Sequence, residues 1–285
     1  MNPRSQCFRT AFYAEDLAWC DIQSKRTRPA PPVRNRTDDW IFGSLRYQTL
    51  SPKQVAPSSN KLLARLPAAD YQRLLPHLET VPLPFKCVLH RAGDEVRRVY
   101  FPGGGVCSIT HVMADGRMVE MATVGNEGLV GVTAFFGGGL EPGEALVQVP
   151  NGSAQVLDVA TFTREMERRE AFYEVVNRYV QAYLIFLTQS VACNALHSVE
   201  ERLARWLLAS HDRMGQNDFA LTQEFLAIML GVRRSSVTLA FGALSRAGFI
   251  DHANKKIRIK NRRGLEGASC ECYATVARHF DRLLP

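Results

Sequence analysis

Residues 221–250 read LTQEFLAIMLGVRRSSVTLAFGALSRAGFI, and the spacing of their apolar positions decides the architecture. Thr222 stands where a helix N-cap accepts a free amide, and Glu224 puts a carboxylate in the opening turn, at the positive end of the helix. Phe225, Leu226 and Met229 supply the buried side up to Gly231, which can enter the left-handed conformation that a short interhelical turn needs. A second helix follows from about Arg234 to near Gly248, with Val237, Phe241 and Leu244 inward. Arg234, Ser235, Thr238 and Leu239 lie on its opposite face, open to solvent or to a groove. The pattern predicts a helix-turn-helix, whose second helix presents its N-terminal residues to base edges in the major groove of DNA.

Charge collects on the same stretch. Between Gly231 and Arg263, nine basic residues (Arg233, Arg234, Arg246, Lys255, Lys256, Arg258, Lys260, Arg262, Arg263) face one acid, Asp251, a local excess above the +7 of the whole chain. A solvated basic face would look the same in isolation, but beside a helix-turn-helix it is the electrostatic footprint of phosphate binding. Phe249-Ile250 and Lys255 to Lys260 flank DHAN in the form of a two-stranded wing, with Ile257 and Ile259 inward and the basic residues that alternate with them outward.

Upstream, the texture differs. Residues 1–58 mix Pro, Arg and Ser without a sustained period and read as a flexible extension. Leu62, Leu63, Leu66, Tyr71, Leu74, Leu75 and Leu78 sit at helical spacing interrupted by Pro67 and Pro76, which predicts short helices. From Val81 to Asp158 come short β-prone runs (FKCVLH, VRRVYF, VCSITHV, RMVEMATV, ALVQVP, SAQVLDV) separated by Gly-rich punctuation. Asp115-Gly116 and Asn151-Gly152 are hairpin signals because their turns need positive φ. An antiparallel roll or barrel is expected.

From about Thr161 the period becomes helical. Phe172, Val176, Tyr179, Tyr183, Phe186, Ser190 and Cys193 recur at spacings of four and three, a heptad seam. Tyr173, Val180, Leu184, Leu187 and Val191 form a second apolar stripe beside it. A helix apolar on two faces has two partners. The expectation is the roll on one side and the same helix of a second subunit on the other, with Phe172, Val176, Tyr179, Tyr183, Phe186 and Ser190 as dimer contacts; the alternative is a helix buried within one monomer.

The stretch LTQEFLAIMLGVRRSSV, the HSVEERLARWLL run before it, the roll and the long helix together resemble the Crp/Fnr family of bacterial regulators, from about Leu62 to Lys260. The resemblance implies an α+β chain: an antiparallel β-roll joined by a long dimerisation helix to a winged helix-turn-helix. The divisions are 1–58 extension, 59–160 roll, 161–195 dimerisation helix, 196–264 winged helix-turn-helix and 265–285 C-terminal helix. It further implies a cytoplasmic homodimer that regulates transcription on a near-palindromic operator in double-stranded DNA, with RNA polymerase as a partner. Arg234 and Ser235 fall where the family reads bases, and Arg233, Ser236 and Thr238 where it makes phosphate or further base contacts. Arg234 suits guanine O6/N7, whereas Leu239 replaces a residue that is basic in many members and could meet a thymine methyl. Thr222 and the wing lysines Lys255 and Lys256 complete the expected DNA-facing set.

The family's cyclic-nucleotide-binding members carry a Gly-Glu pair followed by Arg-Ser, whose Arg neutralises the phosphate. Here Gly131 is followed by Val132, and Gly143-Glu144 takes the Arg-Ser place, so a carboxylate would meet the phosphate. Cyclic-AMP binding in that manner is not expected, and the effector is unknown; gating by a cyclic nucleotide or another small ligand in the roll is the alternative. No cofactor or resident metal is expected. Cys7 and Cys20 do not make an iron–sulfur motif, His77, His90 and His111 read as surface or satisfied core histidines rather than haem ligands, and Cys270 and Cys272 alone make a weak pair better read as packing.

Other classes fare worse. Hydrophobic residues at 46% exclude wholesale disorder, and no run of 18 apolar residues suggests a membrane span. The seven cysteines are scattered, as in a reducing compartment. No histidine cluster or nucleophile motif marks an enzyme, so no catalytic residue is expected, and no exposed aromatic platform suggests RNA binding.

Overall fold

The computed structural model describes residues 59–285 apart from 115, 116, 151, 216, 254 and 255. The expected extension 1–58, the Asp115-Gly116 turn, Asn151 and Lys255 therefore lie outside the described residues.

The chain begins with a 3₁₀ turn at Leu63–Arg65, α1 (Ala68–Leu74) and a second 3₁₀ turn at Leu75–His77, the short helices expected from a leucine period cut by prolines. Asn60 anchors them from a buried position: its side-chain amide donates to the Pro102 and Gly128 carbonyls at 2.9 and 2.8 Å. Seven strands follow, β1 (Glu79–Pro82), β2 (Val88–His90), β3 (Arg98–Pro102), β4 (Val106–Val112), β5 (Met118–Val124), β6 (Glu144–Val149) and β7 (Ser153–Asp158). They form two antiparallel sheets, β1-β7-β3 and β2-β6-β4-β5, which close over one apolar core. Each of the six β-prone runs contributes one of β2 to β7. Val112 pairs with Met118 across the β4–β5 hairpin.

Helices then take over: α2 (Val159–Glu167), α3 (Ala171–Leu196) and α4 (Val199–Met214). The single helix expected over 161–195 is two helices, because Arg169 adopts φ +57° and breaks the hydrogen-bond ladder between them. Ser198 opens α4 with a capping box to Glu201, so α3 ends at the extended His197 and a new helix begins after Ser198.

Placing the dimer seam on Phe172, Val176, Tyr179, Tyr183, Phe186 and Ser190 needs correction. All six are buried within one chain. Phe172 packs edge-on against Phe162 of α2 and is tilted against Phe101 of β3, with ring centroids 5.5 and 6.4 Å apart. Tyr179 donates to the Leu129 carbonyl at 3.1 Å and meets Phe280 at 6.4 Å. Phe280 belongs to α8 (Cys272–Leu283), the C-terminal helix, which lies along α3 and covers part of the stripe that a second subunit would need. The outward residues are instead Leu184 and Val191 of the second stripe, 49% and 72% exposed, with Ala192, Ala195 and Leu196 continuing toward the end of the helix. Val180 of that stripe is buried, and Tyr173 and Leu187 are half-buried.

The remaining elements are β8 (Asp218–Ala220), α5 (Gln223–Leu230), α6 (Arg234–Arg246), β9 (Ile250–Ala253), β10 (Lys256–Ile259) and α7 (Arg262–Ala268). They build a second core around Leu203, Leu207, Leu226, Val237, Phe241, Leu244, Ile257 and Leu265, which Val106 and Val149 of the roll join. Helix α7 runs across the expected boundary at 264 and caps this core with Leu265. Among the described residues, no single helix is long and apolar enough to cross a membrane.

Candidate nucleic-acid interface

Thr222 caps α5, its hydroxyl accepting from the Phe225 amide at 3.2 Å, and Gly231 ends it in the left-handed conformation at φ +62°. The chain then turns by 108° into α6. This lies in the range of helix-turn-helix pairs. Val237, Ala240, Phe241 and Leu244 are buried against α4 and α5, which fixes the rotation of α6 about its axis. That rotation leaves Arg233, Arg234, Ser235, Thr238 and Leu239 exposed on one face and Ser236 half-buried beside them.

The side chains on this face are partly engaged with each other. Arg234 Nη1 lies 2.6 Å from Glu224 Oε1, a pair more than half exposed on both sides. The Thr238 hydroxyl sits 2.8 Å from Gln223 Oε1 and 3.1 Å from the Arg234 carbonyl. A surface pair of this kind contributes about 0–1 kcal/mol, so a guanine can compete for the guanidinium at small cost. Leu239, 75% exposed at mid-helix, has no core role. A thymine methyl would give it an apolar partner. The Glu224 and Gln223 contacts were not read from the sequence, although helix-opening polar residues facing the start of the next helix are their signal.

The wing differs in detail from the sequence reading. Asp251, His252 and Ala253 of DHAN are strand rather than turn, and a third strand, β8, pairs with β10 to give the order β8-β10-β9. Ile257 and Ile259 point into the core while Lys256 and Arg258 are exposed, as the alternation requires. Arg258 is bound at 2.6 and 3.0 Å by both oxygens of Asp218 on β8, so its charge is largely answered within the sheet. Arg262 likewise faces Asp212 at 2.7 Å and Glu266 at 2.9 Å. Arg233, Arg246, Lys256, Lys260 and Arg263 are exposed and carry the basic face.

The helix-turn-helix segment is held against the roll. Trp206 of α4 donates from Nε1 to Glu120 of β5 at 2.9 Å. Arg213 at the end of α4 reaches Glu127 at 2.8 Å and the Thr123 hydroxyl at 2.6 Å. Enclosure between the domains pushes the Glu120 carboxyl up to about 7, against the opposing donors Ser108 and Trp206.

The histidines considered as haem ligands are dispersed, with His77 and His111 exposed. His90 is buried edge-on against Tyr100, and burial pushes its pKa down to about 4, so it stays neutral. In the segment that holds phosphate in nucleotide-binding rolls, Glu141 is buried and accepts from Thr133 at 2.8 Å, and Glu144 is half-buried; burial raises the pKa of both.

Residues 201–268 match the Crp-like helix-turn-helix domain. Among solved structures, FixK2 from Bradyrhizobium japonicum is similar at 15% identity and TM-score 0.59, over 68% of this chain and 98% of that one. The c-di-GMP responsive global regulator CLP of Xanthomonas campestris is similar at 16% identity and TM-score 0.56, over 68% and 99%. A regulator of the crp/fnr family from Eubacterium rectale is similar at 15% identity and TM-score 0.58, over 73% and 96%. At this identity the likeness shows the fold. No curated protein sequence matches the chain.

Proposed function

We propose that this chain, of the Crp/Fnr type by its helix-turn-helix domain and its fold, acts as a homodimeric, non-enzymatic transcriptional regulator on a near-palindromic operator in the cytoplasm. The observation that carries this reading is α6, packed on one side by Val237, Phe241 and Leu244 and exposing Arg233, Arg234, Ser235, Thr238 and Leu239 on the other. In a dimer, two such helices enter successive major grooves about 34 Å apart. Arg234 reads a guanine, Ser235, Thr238 and Leu239 read neighbouring base edges, and Arg233, Ser236, Thr222, Lys255 and Lys256 fix the register on phosphates.

The dimer is assembled through the outward stripe of α3, Leu184 and Val191, in place of the buried seam. Two copies of this stripe meeting about a twofold axis satisfy an isologous interface and join an apolar face of the long helix that stays open among the described residues. RNA polymerase is the partner to which a bound dimer would report.

Selection from random duplex DNA at two salt concentrations tests the reading. The wild type enriches a near-palindrome, and Arg234→Ala loses roughly 1–3 kcal/mol at the bases Arg234 contacts while leaving the salt slope almost unchanged. Binding without enrichment, falling steeply with salt for wild type and variant alike, would reduce the basic face to a general electrostatic surface.

A second reading, gating by a nucleotide, is favoured by the responsiveness of the Xanthomonas regulator to c-di-GMP. Against binding through a phosphate cassette stand Glu141 and Glu144, two carboxylates in the segment where a phosphate needs a cation. A nucleotide at 100 times its Kd would add about 2.7 kcal/mol of thermal stability, and no shift at millimolar concentration would rule this reading out.

A further inference from the structure

Cys193 and His197 lie one turn apart at the C-terminal end of α3, where His197 is the C-cap. Seventy-odd residues later the chain returns to the same spot, with Cys270 between α7 and α8 and Cys272 as the first residue of α8. The three thiols are buried and form a small cluster apart from both apolar cores, with His197 half-buried at its edge. Their four ligand atoms all lie within 4.8 Å of one another. Cys193 Sγ is 3.6 Å from Cys270 Sγ, and Cys272 Sγ is 3.5 Å from His197 Nδ1.

These separations are informative. With Zn–S near 2.3 Å and Zn–N near 2.0 Å, a regular tetrahedron has S···S edges of about 3.8 Å and S···N edges of about 3.5 Å. A cluster of several irons needs its thiolates farther apart than four atoms so gathered allow. The geometry points to a Cys₃His site, built from Cys193, His197, Cys270 and Cys272, for one tetrahedral thiophilic cation, zinc by ligand softness and geometry.

The surroundings match. His197 turns Nδ1 toward the thiols and Nε2 toward Glu271, 3.2 Å from its carboxylate, which is the arrangement that fixes a metal-bound imidazole in one tautomer. Gln189 donates from its amide to Cys272 Sγ at 3.0 Å, a contact that supports a thiolate. Three thiolates and a divalent ion leave one negative charge, and the guanidinium groups of Arg202 and Arg205 on α4 stand near enough to act on Cys193 electrostatically. The Nε atoms of both arginines are buried and have no hydrogen-bond partner among the described residues. Each thiol releases its proton to solvent as the ion binds. Four protein ligands leave no open position, so the ion is structural. It ties the last turn of α3 to the start of α8 at His197-Ser198, where α3 gives way to α4 and the helix-turn-helix domain.

Metal analysis of the full-length protein, purified without chelator after growth in zinc, is the test, with cobalt substitution beside it. About one zinc per chain is expected, with the visible ligand-field and thiolate charge-transfer bands of tetrahedral cobalt in the substituted protein. Cys193→Ser and Cys272→Ser lose stoichiometric zinc, whereas Cys87→Ser and Cys107→Ser, buried in the roll, keep it. Glu271→Gln, which leaves the four ligands in place, weakens zinc by roughly 10- to 100-fold. The wild-type cobalt spectrum keeps the proposal falsifiable if a serine variant fails to fold. Absence of cobalt bands with zinc below a tenth of an ion per chain would overturn it. So would unchanged zinc content in Cys193→Ser, or a Cys193–Cys270 disulfide in the metal-free protein, which would mark a redox pair instead.

Discussion

Val191→Glu is expected to separate the proposed dimer into monomers. Val191 is 72% exposed on the outward stripe of α3, so the substitution leaves the monomer's core intact. At a twofold interface, however, it places a carboxylate from each subunit near its symmetry mate and removes apolar surface from both. Like charges opposed in a desolvated seam cost several kcal/mol, and even about 2.7 kcal/mol raises the dimer dissociation constant about 100-fold. Sedimentation equilibrium of wild type and variant reads the shift directly. Operator affinity falls with it, because a monomer grips one half-site. Tyr179→Ala serves as the contrast: on the buried seam it destabilises the fold by about 3–5 kcal/mol without acting on the interface itself. A Val191→Glu protein that stays dimeric would place the subunit contact elsewhere.

The second large effect is a pH dependence carried by Glu120. Its carboxyl is raised from an ordinary 4.5 to about 7 because ionising it means charging a group enclosed between the roll and Trp206. Below pH 4.5 the carboxyl is protonated in folded and unfolded chains alike, and its contribution is fully present. As pH climbs through 7 the unfolded chain has already released the proton, the folded one holds it, and stability is lost. The raised pKa corresponds to about 3 kcal/mol between pH 4.5 and pH 8. Glu120→Gln, uncharged at every pH, is expected to gain on the wild type by that amount over the same range in urea unfolding. His90 acts with the opposite sign, since its depressed pKa makes stability rise with pH between about 4 and 6.5. It is common to both proteins and cancels in the difference. A difference between variant and wild type that is flat in pH would dispose of the argument.

Some of this was legible in the residues alone. Gly231 needed a left-handed turn, Thr222 a helix to cap, and Val237, Phe241 and Leu244 an inner face, and α5 and α6 follow within a residue or two. The roll could be read for the same local reason: alternating β-prone runs broken by glycine yielded β2 to β7. Strand β8 was missed because three residues between a helix and a cap carry no period, and the break at Arg169 because nothing in an arginine announces positive φ.

Periodicity along α3 marked two apolar stripes but not which surface each would meet. That choice depended on where the C-terminal helix returned, and α8 came back to cover part of the inner stripe. The cysteines show the same limit. Cys270 and Cys272 looked like an incomplete pair because Cys193 and His197 are more than seventy residues away, and only the packing of α7 and α8 against the end of α3 brings the four together. Local conformation is set by side-chain sterics and hydrogen bonding within a few residues, and the sequence by itself determined it here, down to the face of α6 that reads DNA in the proposed function. Partnership between distant segments is set by which apolar and ligating surfaces compete for the same space, and only the tertiary structure decided that.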